Sequence, residues 1–207
     1  GIYQSAVLFD PTRESAPSPF NPPAGWNERL IAVEGFGCPG GWYIQGDAQG
    51  SLGSRGDFRF LSPRRLGEGY ALWANTLQHP SNNCNAVLAS EAAMMSKERF
   101  IETYGVPDFT VSAGCSGGSY GSAQPVDRIP GLFDGILIAC TFPDPLSIAL
   151  SGSDGHLLTH YWAETNPTGF TEAQRVAVSG HKSWVAFIDA ANQAGRTDPV
   201  PGREDVE

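Results

Sequence analysis

Basic side chains are scarce in this 207-residue chain, and long apolar runs are absent from it. Thirteen lysines and arginines stand against 22 aspartates and glutamates, which gives a formal net charge of −9. Binding to nucleic-acid phosphates requires clustered basic side chains, so this balance excludes nucleic acid as an expected partner. No apolar run approaches the roughly 20 residues that a bilayer-spanning helix requires, so we expect no membrane span.

The composition is otherwise that of a folded protein. An apolar content of 41% with 17% charged residues excludes wholesale disorder, and the length is ample for one hydrophobic core. The chain opens directly on an apolar strand pattern, without an initiator methionine or a signal peptide, and it closes on a polar stretch over residues 195–207. We therefore expect both termini to have been cut from a longer polypeptide.

Short apolar segments alternate with helical patterns along the first two thirds of the chain. The expected strands cover residues 2–9, 29–33, 70–76, 108–113 and 133–140, and the expected helices cover residues 85–104 and 117–129. This alternation predicts an α/β fold with a mostly parallel sheet covered by helices. After residue 142 the strand pattern stops, and we expect three helices, over residues 155–164, 171–179 and 182–194.

These patterns predict three parts. Residues 1–143 form the N-terminal part of the α/β core, and residues 144–195 form a helical cap. Residues 196–207 form an exposed loop, whose proline, glycine and charged residues suit a cleavage or truncation point. We expect the fold in this chain to be incomplete.

The segment Gly114-Cys115-Ser116-Gly117-Gly118 fits the pattern G-x-S-x-G between an expected strand and an expected helix. In a nucleophile elbow the serine occupies a strained strand-to-helix turn, and its neighbours are small because other backbone segments pass close by. Ser116 is therefore the candidate nucleophile, and the N–H of Gly117 is a candidate oxyanion donor. The alternative interpretation is a glycine- and serine-rich turn without catalytic function.

A glycine-rich loop follows the expected strand 29–33, where such a fold supplies its second oxyanion donor. The N–H of Phe36 or of Gly37 is the candidate for this donor. Glycine-rich turns also occur for purely structural reasons.

The catalytic base is harder to assign than the nucleophile. The four histidines are His79, His156, His160 and His181. His79 precedes the serine, so the order Ser–acid–His of such a fold excludes it as the base. His156 and His160 lie one turn apart in the expected cap, where a role in lining a pocket or a position on the surface is favoured over the role of base. That pair lacks well-spaced further ligands, so we expect no metal, and we expect no cofactor. Asp144 is a candidate acid or pocket residue, although Asp-Pro is equally a turn former.

The four cysteines, an even number, favour an oxidising compartment. Cys38 and Cys84 lie in loops at the expected carboxyl edge of the sheet, where a disulfide between them would brace the oxyanion loop. Cys115 and Cys140 end neighbouring expected strands, and they either pair or remain small buried side chains.

Several motifs together resemble those of a family of long, secreted bacterial α/β-hydrolase-like proteins. This family was named as a domain of unknown function, and it is more loosely related to tannase and feruloyl-esterase-like enzymes and to extracellular polyester depolymerases. The motifs that carry the resemblance are the elbow and residues 25–30, 35–38, 82–85, 104–107, 130–136 and 142–144. The resemblance covers nearly the whole chain, and it implies a secreted serine hydrolase that acts on an ester or an amide. It also implies Ser116 as nucleophile and a Cys38–Cys84 disulfide.

The chain differs from that family in two respects. Family members are much longer, and further strands after the cap carry their expected acid and histidine. In addition, Cys115 stands where many relatives have a small residue. Tannase-like enzymes place a cysteine there and bridge it to one beside the catalytic histidine, which would give Cys115 a partner outside this chain.

The resulting prediction is a serine hydrolase with an acyl-enzyme on Ser116. We expect the catalytic histidine to come from a segment outside this chain, such as a second chain of the same precursor. The acid comes either from Asp144 or from that same segment. The alternatives are a non-catalytic hydrolase-like binding module and an acyltransferase with the same nucleophile. Five aromatic side chains are expected to line an apolar acyl pocket, although such residues more often only pack: Trp42, Tyr43, Phe142, Tyr161 and Trp162.

Overall fold

A computed structural model describes residues 2–36, 60–78, 85–141, 145–184 and 186. The chain divides into two compact units, Gly1–Thr141 and Phe142–Glu207. Each unit is described by itself below.

The described part of the first unit contains a five-stranded sheet. Its strands are β1 (Tyr3–Ala6), β2 (Arg29–Phe36), β3 (Ala71–Asn75), β4 (Phe109–Cys115) and β5 (Gly135–Ala139). Their order across the sheet is β1-β3-β2-β4-β5, and only β1 runs antiparallel to its neighbour. The expected α/β class with a mostly parallel sheet and flanking helices is therefore confirmed.

Within the described residues of this unit, three helices accompany the sheet: α1 (Pro63–Gly67), α2 (Ala86–Tyr104) and α3 (Gly117–Arg128). The long α2 begins where Asn85 accepts hydrogen bonds from two backbone N–H groups of the first turn, and it ends at Gly105, whose φ of 108° favours glycine. The sequence analysis missed α1, a five-residue helix that starts after a capping Ser62.

Both faces of the central strand β2 are buried, as expected for a parallel sheet with helices on each side. Leu30 and Ala32 belong to a cluster with Trp73 and with Phe100 of α2. The alternate residues of the strand, Ile31 and Val33, belong to a second cluster, against which Leu66 of α1 packs. Side chains at even positions of β2 thus face the layer that contains α2.

The second unit is helical in its described part. Helix α4 (Pro145–His160) continues into a π-helical turn (Tyr161–Thr165), so the helix expected over residues 155–164 is the end of a longer one. Helix α5 (Glu172–Ser179) has both hydrogen bonds of the capping box expected from Thr171 and Gln174. The helix expected over residues 182–194 lies mostly outside the described residues. Among the helices described, none is long and apolar enough to cross a bilayer.

Candidate active site

Ser116 occupies a tight turn between β4 and α3, where its backbone is strained. Its φ of 57° and ψ of −116° lie outside the regions that residues with a Cβ normally adopt. Such conformations cost about 1–3 kcal/mol, persist only when the surroundings impose them, and cluster at functional sites. Here part of the constraint is the Ser116 N–H, which donates to the carbonyl of Ala139 at 2.9 Å.

The Ser116 side chain is left available for chemistry. It is partly exposed, and within the described part of the chain it makes no capping bond to α3. The Ser116 carbonyl instead accepts the Ser119 hydroxyl at 2.6 Å and the Ser119 N–H at 2.9 Å. These bonds hold the turn through its backbone and leave the Ser116 hydroxyl outside the network.

Two glycines of the turn allow close backbone packing. A Cβ on Gly114 would overlap the carbonyl oxygen of Gly118, and a Cβ on Gly118 would overlap the carbonyl oxygen of Gly35. The obstacle in each case is backbone, which cannot rotate away as a flexible side chain can. The first turn of α3 therefore lies directly against the end of β2, which explains the small residues around Ser116.

The end of β2 lies beside Ser116, where an oxyanion donor is expected. In the parallel pairing of the two strands Phe36 is the register partner of Cys115, the residue before Ser116. Strand β2 extends to Phe36, beyond the expected end at residue 33, through an irregularity between Val33 and Gly35. Gly37 lies outside the described residues.

The N–H of Gly117 is well placed in sequence to serve as the other donor. Gly117 begins α3, and the first N–H groups of a helix have no acceptor within it. The helix dipole adds a partial positive charge at this end. The N–H of Ser116 itself is occupied by Ala139, so Gly117 is the first free donor of the turn.

A buried polar network, which the sequence analysis missed, lies behind the turn and includes Glu34. This side chain is only 1% exposed; its Oε1 accepts a hydrogen bond from Gln78 Nε2 and lies 3.2 Å from Ser112 Oγ. Ser112 Oγ also lies 3.0 Å from Ser122 Oγ, which donates to the Gly118 carbonyl at 2.9 Å. The sequence signal for this network is the position of Glu34, which shares the two-residue spacing of the buried even-numbered residues of β2.

Burial raises the pKa of the Glu34 carboxyl well above its usual range, and a hydrogen bond that Ser112 would donate to the ionised form offsets part of that rise. The two side chains within hydrogen-bonding distance of the carboxyl, Gln78 and Ser112, are uncharged. The ion pairs found among the described residues all involve other carboxylates. A carboxyl in such surroundings favours its neutral form.

Cys115 and Cys140 are both free thiols, the first buried and the second exposed. A hydrogen bond between the two thiols is the main cause that raises the pKa of Cys115, and burial adds to it. The two cysteines are therefore unpaired; Cys115 is buried as expected for an unpaired cysteine here, whereas the expectation of a buried side chain is wrong for Cys140.

Several predicted site residues lie outside the described residues. These are Gly37, Cys38, Trp42, Tyr43, Cys84, Phe142 and Asp144. Their assigned roles, including the Cys38–Cys84 disulfide, stay predictions.

The predicted substrate-binding residues Tyr161 and Trp162 lie in the second unit. Trp162 is 2% exposed, and its ring packs at 6.4 Å from Phe170 and at 6.0 Å from Trp184. Tyr161 is partly exposed and lies 6.1 Å from the same Phe170. Within this unit the two rings form an aromatic cluster, and substrate binding by them stays a prediction.

No histidine occurs among the described residues of the first unit. His156 and His160 lie on α4, and His181 follows α5, all in the second unit. In the described ranges no three histidine, cysteine, aspartate or glutamate side chains lie close enough together to hold a metal ion. The described site therefore consists of a serine, its turn, a helix N-terminus and the adjacent end of β2.

The sequence model of one protein family matches residues 1–206, and that family is described as tannase-like and of unknown function (DUF6351). None of the curated proteins matches the chain.

Proposed function

We propose, from the premise that this chain belongs to the tannase-like family of unknown function, that it is a serine hydrolase acting on a carboxylic ester or an amide. The observation that carries the proposal is the strained backbone of Ser116 at a strand-to-helix turn, with its hydroxyl outside the local hydrogen-bond network. Such strain is retained where function requires it.

In the proposed reaction the Ser116 hydroxyl attacks the acyl carbonyl and loses its proton to a general base. The leaving group departs with a proton, and water then hydrolyses the acyl-enzyme. The N–H of Gly117 and that of Phe36 or Gly37 stabilise the oxyanion. The adjacency of Phe36 and Cys115 in the sheet supports this pairing of donors.

We assign the base to a histidine supplied from outside this chain, by a further segment or by a second chain cut from the same precursor at residues 196–207. Asp144 or a residue of that further segment supplies the acid. Two features support this assignment: the described part of the first unit has no histidine, and His79 precedes the serine. Intact-mass analysis of the active native protein tests it, because a single 22.1 kDa species that hydrolyses esters contradicts it.

The proposal extends to the surroundings of the site. The predicted aromatic residues bind the acyl group, and a Cys38–Cys84 disulfide braces the oxyanion loop in a secreted protein. Differential alkylation before and after reduction, followed by peptide mapping, tests the disulfide. Labelling of Cys38 and Cys84 before reduction contradicts it.

Hydrolysis assays of the full-length protein test the function itself. The substrates are p-nitrophenyl acetate, methyl gallate and methyl ferulate, and the last two are chosen for the tannase-like family. We expect Ser116→Ala to lower kcat by several orders of magnitude, and we expect Ser15→Ala, which alters an exposed loop serine, to leave it unchanged. Equal turnover by both variants contradicts the proposal.

The same assays separate the alternatives. An acyltransferase would pass the acyl group to an added alcohol in preference to water, and the ester product would be detected by mass spectrometry. A non-catalytic binding module would show no turnover with any ester in the wild-type protein.

A further inference from the structure

Three oxygen-to-oxygen contacts connect the Glu34 carboxyl with the first turn of α3. They run from Glu34 Oε1 to Ser112 Oγ, from there to Ser122 Oγ, and on to the Gly118 carbonyl, at 3.2, 3.0 and 2.9 Å. Each contact needs one proton to be a hydrogen bond, and a carbonyl oxygen only accepts. The two serine hydroxyls supply two protons, so the third comes from Glu34.

The donor-to-acceptor direction of these hydrogen bonds follows from the last acceptor, the Gly118 carbonyl. Because the Gly118 carbonyl accepts, Ser122 donates to it. Ser112 then donates to Ser122, and Glu34 donates to Ser112. The surroundings agree with a protonated acid, since Glu34 Oε2 has no hydrogen-bond partner among the described residues, and a buried, unpaired carboxylate would be strongly unfavourable.

We propose that Glu34 is a positioning residue which, as a neutral carboxylic acid, holds the end of β2 against the first turn of α3 and so fixes the oxyanion donors relative to Ser116. This inference rests on the proposed function, because it concerns the geometry of that site. Glu34 acts through Ser112 and Ser122 and does not itself touch the substrate.

The location of Glu34 explains how a residue behind the turn affects catalysis. Phe36, a candidate donor, lies two residues after Glu34, and the backbone of Gly118 packs against the carbonyls of Glu34 and Gly35. The chain of hydrogen bonds therefore joins the two segments that carry the donors. Small displacements of such donors reduce stabilisation of the oxyanion and lower kcat more than they change substrate binding.

Three variants of the full-length protein test the inference. Glu34→Gln stays neutral and retains a donor and an acceptor, whereas Glu34→Met has a similar volume but cannot donate. Ser122→Ala removes the last link without altering Glu34, and it serves if Glu34→Met does not fold. Glu98→Gln, an exposed position on α2, is the matched control.

The readouts are kcat and KM for an ester, and the rate at which a fluorophosphonate probe labels Ser116. We expect Glu34→Gln and Glu98→Gln to stay within about threefold of the wild type in kcat. We expect Glu34→Met and Ser122→Ala to lose about tenfold or more in kcat and in labelling rate, a loss that corresponds to one hydrogen bond. We expect KM to change by less than about threefold. Recovery of kcat by glutamine distinguishes a positioning role from a general loss of stability.

Two outcomes overturn the inference separately from the proposed function. If Glu34→Gln is as damaging as Glu34→Met, the carboxylate charge is required and the neutral acid is wrong. If Glu34→Met and Ser122→Ala both fold and both match the wild type, the positioning role is wrong. Absence of labelling at Ser116 in the wild-type protein instead overturns the proposed function, and the catalytic role of Glu34 with it.

Discussion

The strain at Ser116 makes a prediction about stability that is independent of any substrate. Glycine adopts positive φ without the steric cost of a Cβ, whereas alanine retains that cost. We therefore expect Ser116→Gly to be more stable than Ser116→Ala, although both variants lack the nucleophile.

The expected difference follows from two opposing contributions. The conformation with φ 57° and ψ −116° costs a residue with a Cβ about 1–3 kcal/mol, which glycine removes. Glycine also makes the unfolded chain more flexible, which lowers stability by about 0.4–1 kcal/mol relative to alanine. The net advantage of Ser116→Gly is on the order of 1 kcal/mol in the free energy of unfolding.

Urea denaturation followed by tryptophan fluorescence measures this difference, since the fully buried Trp73 reports on the unit that contains Ser116. Ser119 provides the matched control, because it lies three residues later inside α3. There we expect the reverse order, with Ser119→Gly less stable than Ser119→Ala by about 0.5–1 kcal/mol. If Ser116→Gly is no more stable than Ser116→Ala, the turn is not strained, and strain no longer supports a catalytic role for Ser116.

Three further predictions concern the surroundings of the turn. Gly118→Ala should destabilise the protein by about 1–3 kcal/mol or more in urea denaturation, since the new Cβ meets the Gly35 carbonyl, and near-wild-type stability would contradict that packing. The free energy of unfolding of Glu34→Gln, relative to that of the wild type, should rise with pH above the ordinary glutamate range, by at most about 1.4 kcal/mol per pH unit. Burial raises the pKa of Glu34, so the native wild type keeps a proton that the unfolded chain releases, and raising the pH destabilises it. A pH-independent difference would contradict a neutral Glu34. Brief maleimide treatment of the native protein should modify the exposed Cys140 before the buried Cys115, because burial and a raised pKa both make the Cys115 thiol less reactive. Peptide mapping that finds Cys115 modified first would contradict this order of reactivity.

The sequence predicted those features of the fold that local patterns determine. The strand before Ser116 and the helix after it lie where the glycine-rich motif indicates, and Thr171 with Gln174 marks the start of α5. Helix α1 was missed because five residues are too few to show helical periodicity. The end of β2 at Phe36 was missed because glycine normally terminates a strand, whereas here an irregularity carries the strand past Gly35.

The candidate site was predictable only in part, for a physical reason. The identity of Ser116 follows from a contiguous motif, but the chain from Glu34 to Gly118 joins β2, β4 and α3, which lie far apart in sequence. Its polar members look like isolated interruptions of apolar strands until the register of the sheet brings them together. Periodicity along one strand marks Glu34 as buried, but it does not identify the side chains that contact it.

The central claim is that Ser116 is an activated nucleophile, and labelling of the native protein with a fluorophosphonate probe tests it most directly. Tryptic mapping by mass spectrometry should locate the phosphonyl group on Ser116, and the Ser116→Ala variant should remain unlabelled while it stays folded. A folded, native wild-type protein that is not labelled, or that is labelled equally after Ser116→Ala, would contradict the account.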